Sequence, residues 1–105
     1  MEQLSIFRRE LDELDERLMT LLAQRFSICR QVAVYKAETG TPMMQPGRVA
    51  AVKAKARARA VANGLSEQFA QELYDAIISE ACRLEAAIIE QVKSGSSLVT
   101  DSSTN

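Results

Sequence analysis

From Leu4 onward the apolar residues of this chain recur at spacings of three and four: Leu4, Phe7, Leu11, Leu14, Leu18 and Leu21. That spacing draws one stripe along a helix, and the segment from about Ser5 to Thr39 holds no proline or glycine to interrupt it. Gly40 and Pro42 stop it, the first open to the left-handed conformation that ends helices and the second unable to continue one. After a connector over 41–47, an alanine-rich and basic second helix is predicted over about 48–62, ending at Asn63-Gly64. Ser66 is the candidate N-cap of a third. That helix, over about 67–93, carries apolar residues that include Phe69, Leu73, Ile77, Ile78, Ala81, Leu84, Ile88 and Val92. No segment shows the two-residue alternation of a strand, and none repeats. The fold predicted is all-α: a three-helix protomer with one very long N-terminal helix, a single domain over 1–93 and a flexible polar tail over 94–105.

The first helix is too long for a compact domain. At 1.5 Å per residue it extends roughly 50 Å. A compact chain of 105 residues has a radius of gyration near 13 Å and a diameter of about 30–35 Å. One end of the helix therefore projects with its leucines bare, and apolar stripes of that extent mark interfaces. A homodimer with the long helices antiparallel would cover both.

Several polar residues interrupt the apolar faces. Continuing the stripe past Leu21 gives Arg25, then Ile28, Val32 and Tyr35. A guanidinium at a leucine position is costly to bury alone, so a carboxylate partner is expected. Lys36 lies eleven residues on, three turns along nearly the same face. Glu85 is the matching anomaly on the third helix, among Ile78, Ala81, Cys82, Ile88, Ile89 and Val92. A carboxylate there is either paired with a cation such as Arg25 or Lys36 or held protonated by desolvation. Arg25 alone reads as a structural ion pair or a solvated break in the stripe, and Glu85 alone as a buried salt bridge; together with Lys36 they describe a polar pocket in a helical core. Arg48 opens the second helix, where free amides and the positive helix end favour an anion. Lys53, Lys55, Arg57 and Arg59 read as a solvated basic face. Arg8 lies about 25 Å from Arg25 along the helix and a quarter-turn aside, so it can reach a pocket only on a partner chain.

Composition narrows the chemistry. The chain has no histidine, which removes histidine-based hydrolases and most zinc enzymes. A net charge of −1 argues against a nucleic-acid binder, and the basic run 48–59 lacks interleaved aromatics. No apolar run reaches membrane-span length, and the N-terminus lacks a signal-peptide core. A cytoplasmic protein is expected, with Cys29 and Cys82 as free thiols and no metal.

The series Leu14-Asp15-Glu16-Arg17-Leu18, Leu22-Ala23-Gln24-Arg25, Val34-Tyr35-Lys36, Pro42, Arg48 and Ile77-Ile78…Cys82-Arg83-Leu84-Glu85 resembles the all-helical AroQ class of chorismate mutases, over about residues 4–92. The resemblance implies an intertwined dimer with shared active sites and the cofactor-free Claisen rearrangement of chorismate to prephenate. By position it implies that Arg8 crosses to the partner's substrate carboxylate, that Arg25 and Arg48 bind carboxylates, and that Lys36 and Glu85 contact the substrate's ether oxygen. Three positions depart from the commonest pattern: Val49 in place of a glutamate that accepts from the ring hydroxyl, Gln45 in place of an aspartate, and Ala81 in place of a serine. The stretch 42–49 looks more like members that act on 4-amino-4-deoxychorismate, and isochorismate pyruvate lyases share its Arg-Val pair. A rival of another class is a non-catalytic helical dimerisation module, which would explain the stripe but not the buried Arg25, Lys36 and Glu85.

Overall fold

The computed structural model describes residues 2–43 and 45–104, with the side chains of all of these except 46 and 96–104. It contains three helices in order: α1 (Glu2–Thr39), α2 (Pro46–Ala62) and α3 (Glu67–Thr104). No strand occurs among the described residues. The protein is all-α.

The helix ends follow from local chemistry. Gly40 takes a φ of 72°, which lets the chain fold back so that the Thr41 N–H donates to the Lys36 carbonyl at 3.0 Å. Gly64 has the same φ, and there Gly64 N–H bonds to Val61 O while Leu65 N–H bonds to Ala60 O. This pair of reversed bonds satisfies carbonyls that a helix end leaves open. Pro46 begins α2, two residues before the predicted start. A proline is suited to that place because the first turn has no use for its missing N–H. Ser66 caps α3 as expected, its Oγ accepting from the Phe69 N–H at 3.1 Å. The third helix continues beyond the predicted end at Lys93 to Thr104, since no proline or reversed turn follows Lys93. The flexible tail expected over 94–105 falls mostly among side chains outside the described residues, as does Asn105.

α3 packs against α1 on one side and α2 on the other, while α1 and α2 do not pack together. The molecule measures 69 × 33 × 14 Å. A helix with its side chains is about 10–12 Å across, so this protomer is one helix thick. Its radius of gyration is 19.2 Å, against about 13 Å for a compact chain of this length. No layer lies above or below to build a core from large side chains. The buried apolar residues are Ala33, Ala56, Ala60, Ala70, Ile77 and Ala81, small side chains in every case but Ile77. The leucine stripe is bare: Leu4, Phe7, Leu11, Leu14, Leu18 and Leu21 are between 51% and 60% exposed.

Polar contacts fasten α2 to α3. Lys53 Nζ lies 2.7 Å from Asp75 Oδ1, and Arg57 donates to the Gln71 side-chain carbonyl. The Lys53 hydrogen bond holds the Asp75 carboxyl below its usual range.

Candidate active site

α1, α2, α3 and the connector before α2 surround a cavity of about 480 Å³, the size of a small-molecule site. Seven of the eight residues singled out in the sequence line it: Arg25, Lys36, Gln45, Arg48, Val49, Ala81 and Glu85. Arg8 does not. It lies exposed on the projecting half of α1, as its distance along the helix requires.

The polar centre of the cavity is an ion pair between helices. Lys36 Nζ lies 3.2 Å from Glu85 Oε1, and the two side chains are only 15% and 12% exposed. Lys36 also donates to the Met43 carbonyl at 3.0 Å. Of the two arrangements open to Glu85, pairing with a cation is the one found. An ammonium has three donors; two are engaged, which leaves one for a ligand. The contact with Met43 also ties Lys36 to the connector just beyond the Gly40 turn.

Arg25 is held differently. It has no carboxylate within ion-pair distance among the described residues, contrary to the partner expected from its place in the stripe. Its guanidinium carbon lies 5.8 Å from the centre of the Tyr74 ring, and Nη1 lies 3.7 Å from Cys29 Sγ. Half-buried burial with an aromatic face beside it is enough to accommodate this cation. The result matters chemically, because a guanidinium held by π-electrons and sulfur keeps its charge uncommitted for an incoming anion. Arg48 and Gln45 are exposed at the opening of α2 and Val49 is half-buried. Val49 presents no acceptor beside Arg48.

Sequence reasoning missed Tyr74, both cysteines (which are free thiols lining the cavity) and the Met43 carbonyl. Tyr74 had left a signal. It precedes Glu85 by eleven residues, as Arg25 precedes Lys36. The contacts Arg25–Tyr74 and Lys36–Glu85 thus share one offset of 49 residues, so α1 and α3 run parallel as two rungs of one ladder.

Residues 7–86 match chorismate mutase type II. The chain belongs to that family. Among its relatives, a 4-amino-4-deoxychorismate mutase of Streptomyces venezuelae is 43% identical over 89 residues, 85% of this chain and 86% of that protein. A 4-amino-4-deoxychorismate mutase of Streptomyces pristinaespiralis is 40% identical over 84 residues, 80% of this chain and 65% of that one. A chorismate mutase of Methanocaldococcus jannaschii is 24% identical over 93 residues, 89% of this chain and 94% of that one. Membership of the chorismate mutase family makes the chain an isomerase by class. Among the described residues no cluster of metal-binding side chains occurs, and no helix is long and apolar enough to cross a membrane.

Proposed function

We propose that this protein catalyses the Claisen rearrangement of 4-amino-4-deoxychorismate. In that reaction the ether C–O bond breaks as a C–C bond forms within one molecule, with no nucleophile and no obligatory proton transfer. A protein can accelerate it by holding the substrate folded and by aiming charge at the ether oxygen, where negative charge grows. The observation that carries the reading is the single cavity gathering Arg25, Lys36, Arg48 and Glu85. The two arginines are suited to the substrate's carboxylates, because a planar fork binds a carboxylate through two parallel bonds. Lys36 is the cation for the ether oxygen. Glu85, whose carboxylate pairs with Lys36, can add a second donor there only by first taking up a proton, since a carboxylate has none to give.

The choice of the amino substrate over chorismate itself rests on two supports. The relatives at 43% and 40% identity carry that activity in their names, whereas the chorismate mutase is at 24%. Val49 also removes the acceptor that a ring hydroxyl would use, while Gln45 keeps a neutral amide on the same cavity. Initial rates on both substrates test this. The expected result is a higher kcat/KM for the amino substrate, and a ratio shifted towards chorismate in Val49→Glu. A wild-type preference for chorismate would overturn the assignment.

The reading includes a homodimer with shared sites. It is supported by the bare stripe of α1 and by Arg8, which lies exposed and away from the cavity on its own chain. Arg8→Ala and Arg25→Ala are each expected to be inactive, yet to recover part of the activity when unfolded and refolded together, because some mixed dimers then hold one intact site. No recovery would place Arg8 outside the pocket.

A further inference from the structure

Beside the large cavity lies a second of about 210 Å³, lined by Arg25, Arg48, Val52, Lys55, Arg59 and Tyr74. Four of these six side chains are cationic and none is acidic. Arg48, Val52, Lys55 and Arg59 follow one another at spacings of four, three and four, so they form a single face of α2. The basic residues of this helix therefore do not make the one solvated face that their sequence suggests. Lys53 and Arg57 turn to α3, where Asp75 and Gln71 receive them. Arg48, Lys55 and Arg59 have no ion-pair partner among the described residues, and Arg25 contributes a fourth charge held only by Tyr74 and Cys29.

Like charges around so small a space repel one another, and the repulsion is relieved by a counter-anion held among them. Guanidinium groups are suited to a tetrahedral oxyanion, which they grip with paired N–H bonds, and a lysine adds a point charge. A partner chain's Arg8, in the reading above, would add positive charge here. Arg25, Arg48 and Val52 line both cavities, so whatever occupies the smaller one acts on residues of the larger.

We propose that the second cavity is an oxyanion subsite that takes phosphate, free or as the phosphate group of a small molecule. An anion held there competes for Arg25 and Arg48 with the carboxylates of the substrate. The competition rests on the function proposed above; the binding does not.

The test titrates inorganic phosphate and, separately, glycerol phosphate into the full chain by calorimetry at constant ionic strength, with chloride as the reference salt. Initial rates are measured alongside. Saturable binding of one phosphate per chain is expected, with inhibition competitive against substrate. Tighter binding of the ester than of the free ion would assign the subsite to a small molecule's phosphate group; tighter binding of the free ion would assign it to inorganic phosphate. In Lys55→Gln/Arg59→Gln the phosphate affinity should fall at least about tenfold, while kcat and KM stay within about twofold of wild type. Arg59→Gln alone, at an exposed position, gives a smaller loss in the same direction should the double variant fold poorly. Phosphate affinity unchanged in these variants would place the anion in the large cavity and overturn the proposal. No saturable binding to the wild type would overturn it too. If the double variant instead weakened self-association without any phosphate binding, carboxylates of a second copy would be the occupants. A protein that turned over neither mutase substrate but bound phosphate through Lys55 and Arg59 would refute the proposed function and leave the subsite standing.

Discussion

Between Glu2 and Leu21 every residue of α1 is exposed, whereas from Leu22 to Thr39 the same helix packs on α3, buries Ala33 and brings Arg25 and Lys36 to a cavity. Both halves carry apolar residues at helical spacing. What differs is the company. The second half has α3 beside it, running parallel, and polar residues replace leucines where the two helices meet the cavity. Among the described residues the first half has nothing within its own chain to cover it. Apolar periodicity therefore tells which face of a helix needs a neighbour without telling whether that neighbour belongs to the same molecule.

The strongest way to break this comparison is to charge the first half. Each leucine covered in a dimer contributes ~1.5–3 kcal/mol, and Leu14→Lys with Leu18→Lys alters four of them per dimer. Lysine keeps the helix propensity of the segment. The expected outcome is loss of self-association at micromolar concentration, read by sedimentation, and with it loss of activity. Unchanged association would mean that the stripe is not the interface.

In the second half the expected damage is chemical. Lys36→Ala should lower kcat about a hundredfold to a thousandfold, the usual effect of removing one donor aimed at developing negative charge, while self-association stays intact. Glu85→Gln keeps a donor in place and should retain activity, whereas Glu85→Ala should resemble Lys36→Ala. A glutamine variant as poor as the alanine one would show that Glu85 works as a carboxylate partner of Lys36 and not as a donor.

Tyr74 sharpens the comparison at the upper rung of the ladder. A cation over an aromatic face gains ~0.5–2 kcal/mol. Tyr74→Leu should therefore raise KM by between about twofold and thirtyfold as Arg25 loses its support, with a smaller change in kcat. Tyr74→Phe keeps the ring and should behave as wild type. A KM that does not move in the leucine variant would deny Tyr74 any part in placing Arg25.

The smallest effect concerns the attachment of α2. The Asp75 carboxyl is held below its usual value of 3.8, chiefly by its hydrogen bond to Lys53. A carboxyl lowered on folding stabilises the folded state above its unfolded value, and the gain disappears as pH falls through the folded one. Asp75→Asn should therefore lower Tm slightly at pH 7 and leave it unchanged near pH 2. Equal differences at both pH values would show that the contact acts through packing and not charge.

The helices and their ends were legible because their signals are local: Gly40, Gly64 and Ser66 act on bonds within a few residues of themselves. Arg25, Lys36 and Glu85 stood out because each violates an apolar pattern. The residues that were missed obey theirs. Tyr74, Cys29 and Cys82 fit an apolar face, and only the three-dimensional arrangement shows that they border a cavity. The basic residues of α2 were misread for the opposite reason. Lys53 and Arg57 differ from Lys55 and Arg59 only in the direction they face, and direction matters once α3 is known to lie on one side. The end of α3 is less legible because the serines after Lys93 disfavour a helix without forcing a stop, and the helix runs on to Thr104.

The ladder with its single offset also bears on how such a chain can change length. One residue added to a helix turns everything beyond it by about 100°. An insertion between Arg25 and Lys36 would swing one rung away from α3 while the other stayed, and so would a deletion between Tyr74 and Glu85. Insertions from Gly40 to Gln45 or from Asn63 to Leu65 change the offset of both rungs together and leave their geometry alone. Length variation among descendants of this sequence should thus collect in the two connectors, and the two eleven-residue intervals should keep their length even where nearly every residue within them has been exchanged.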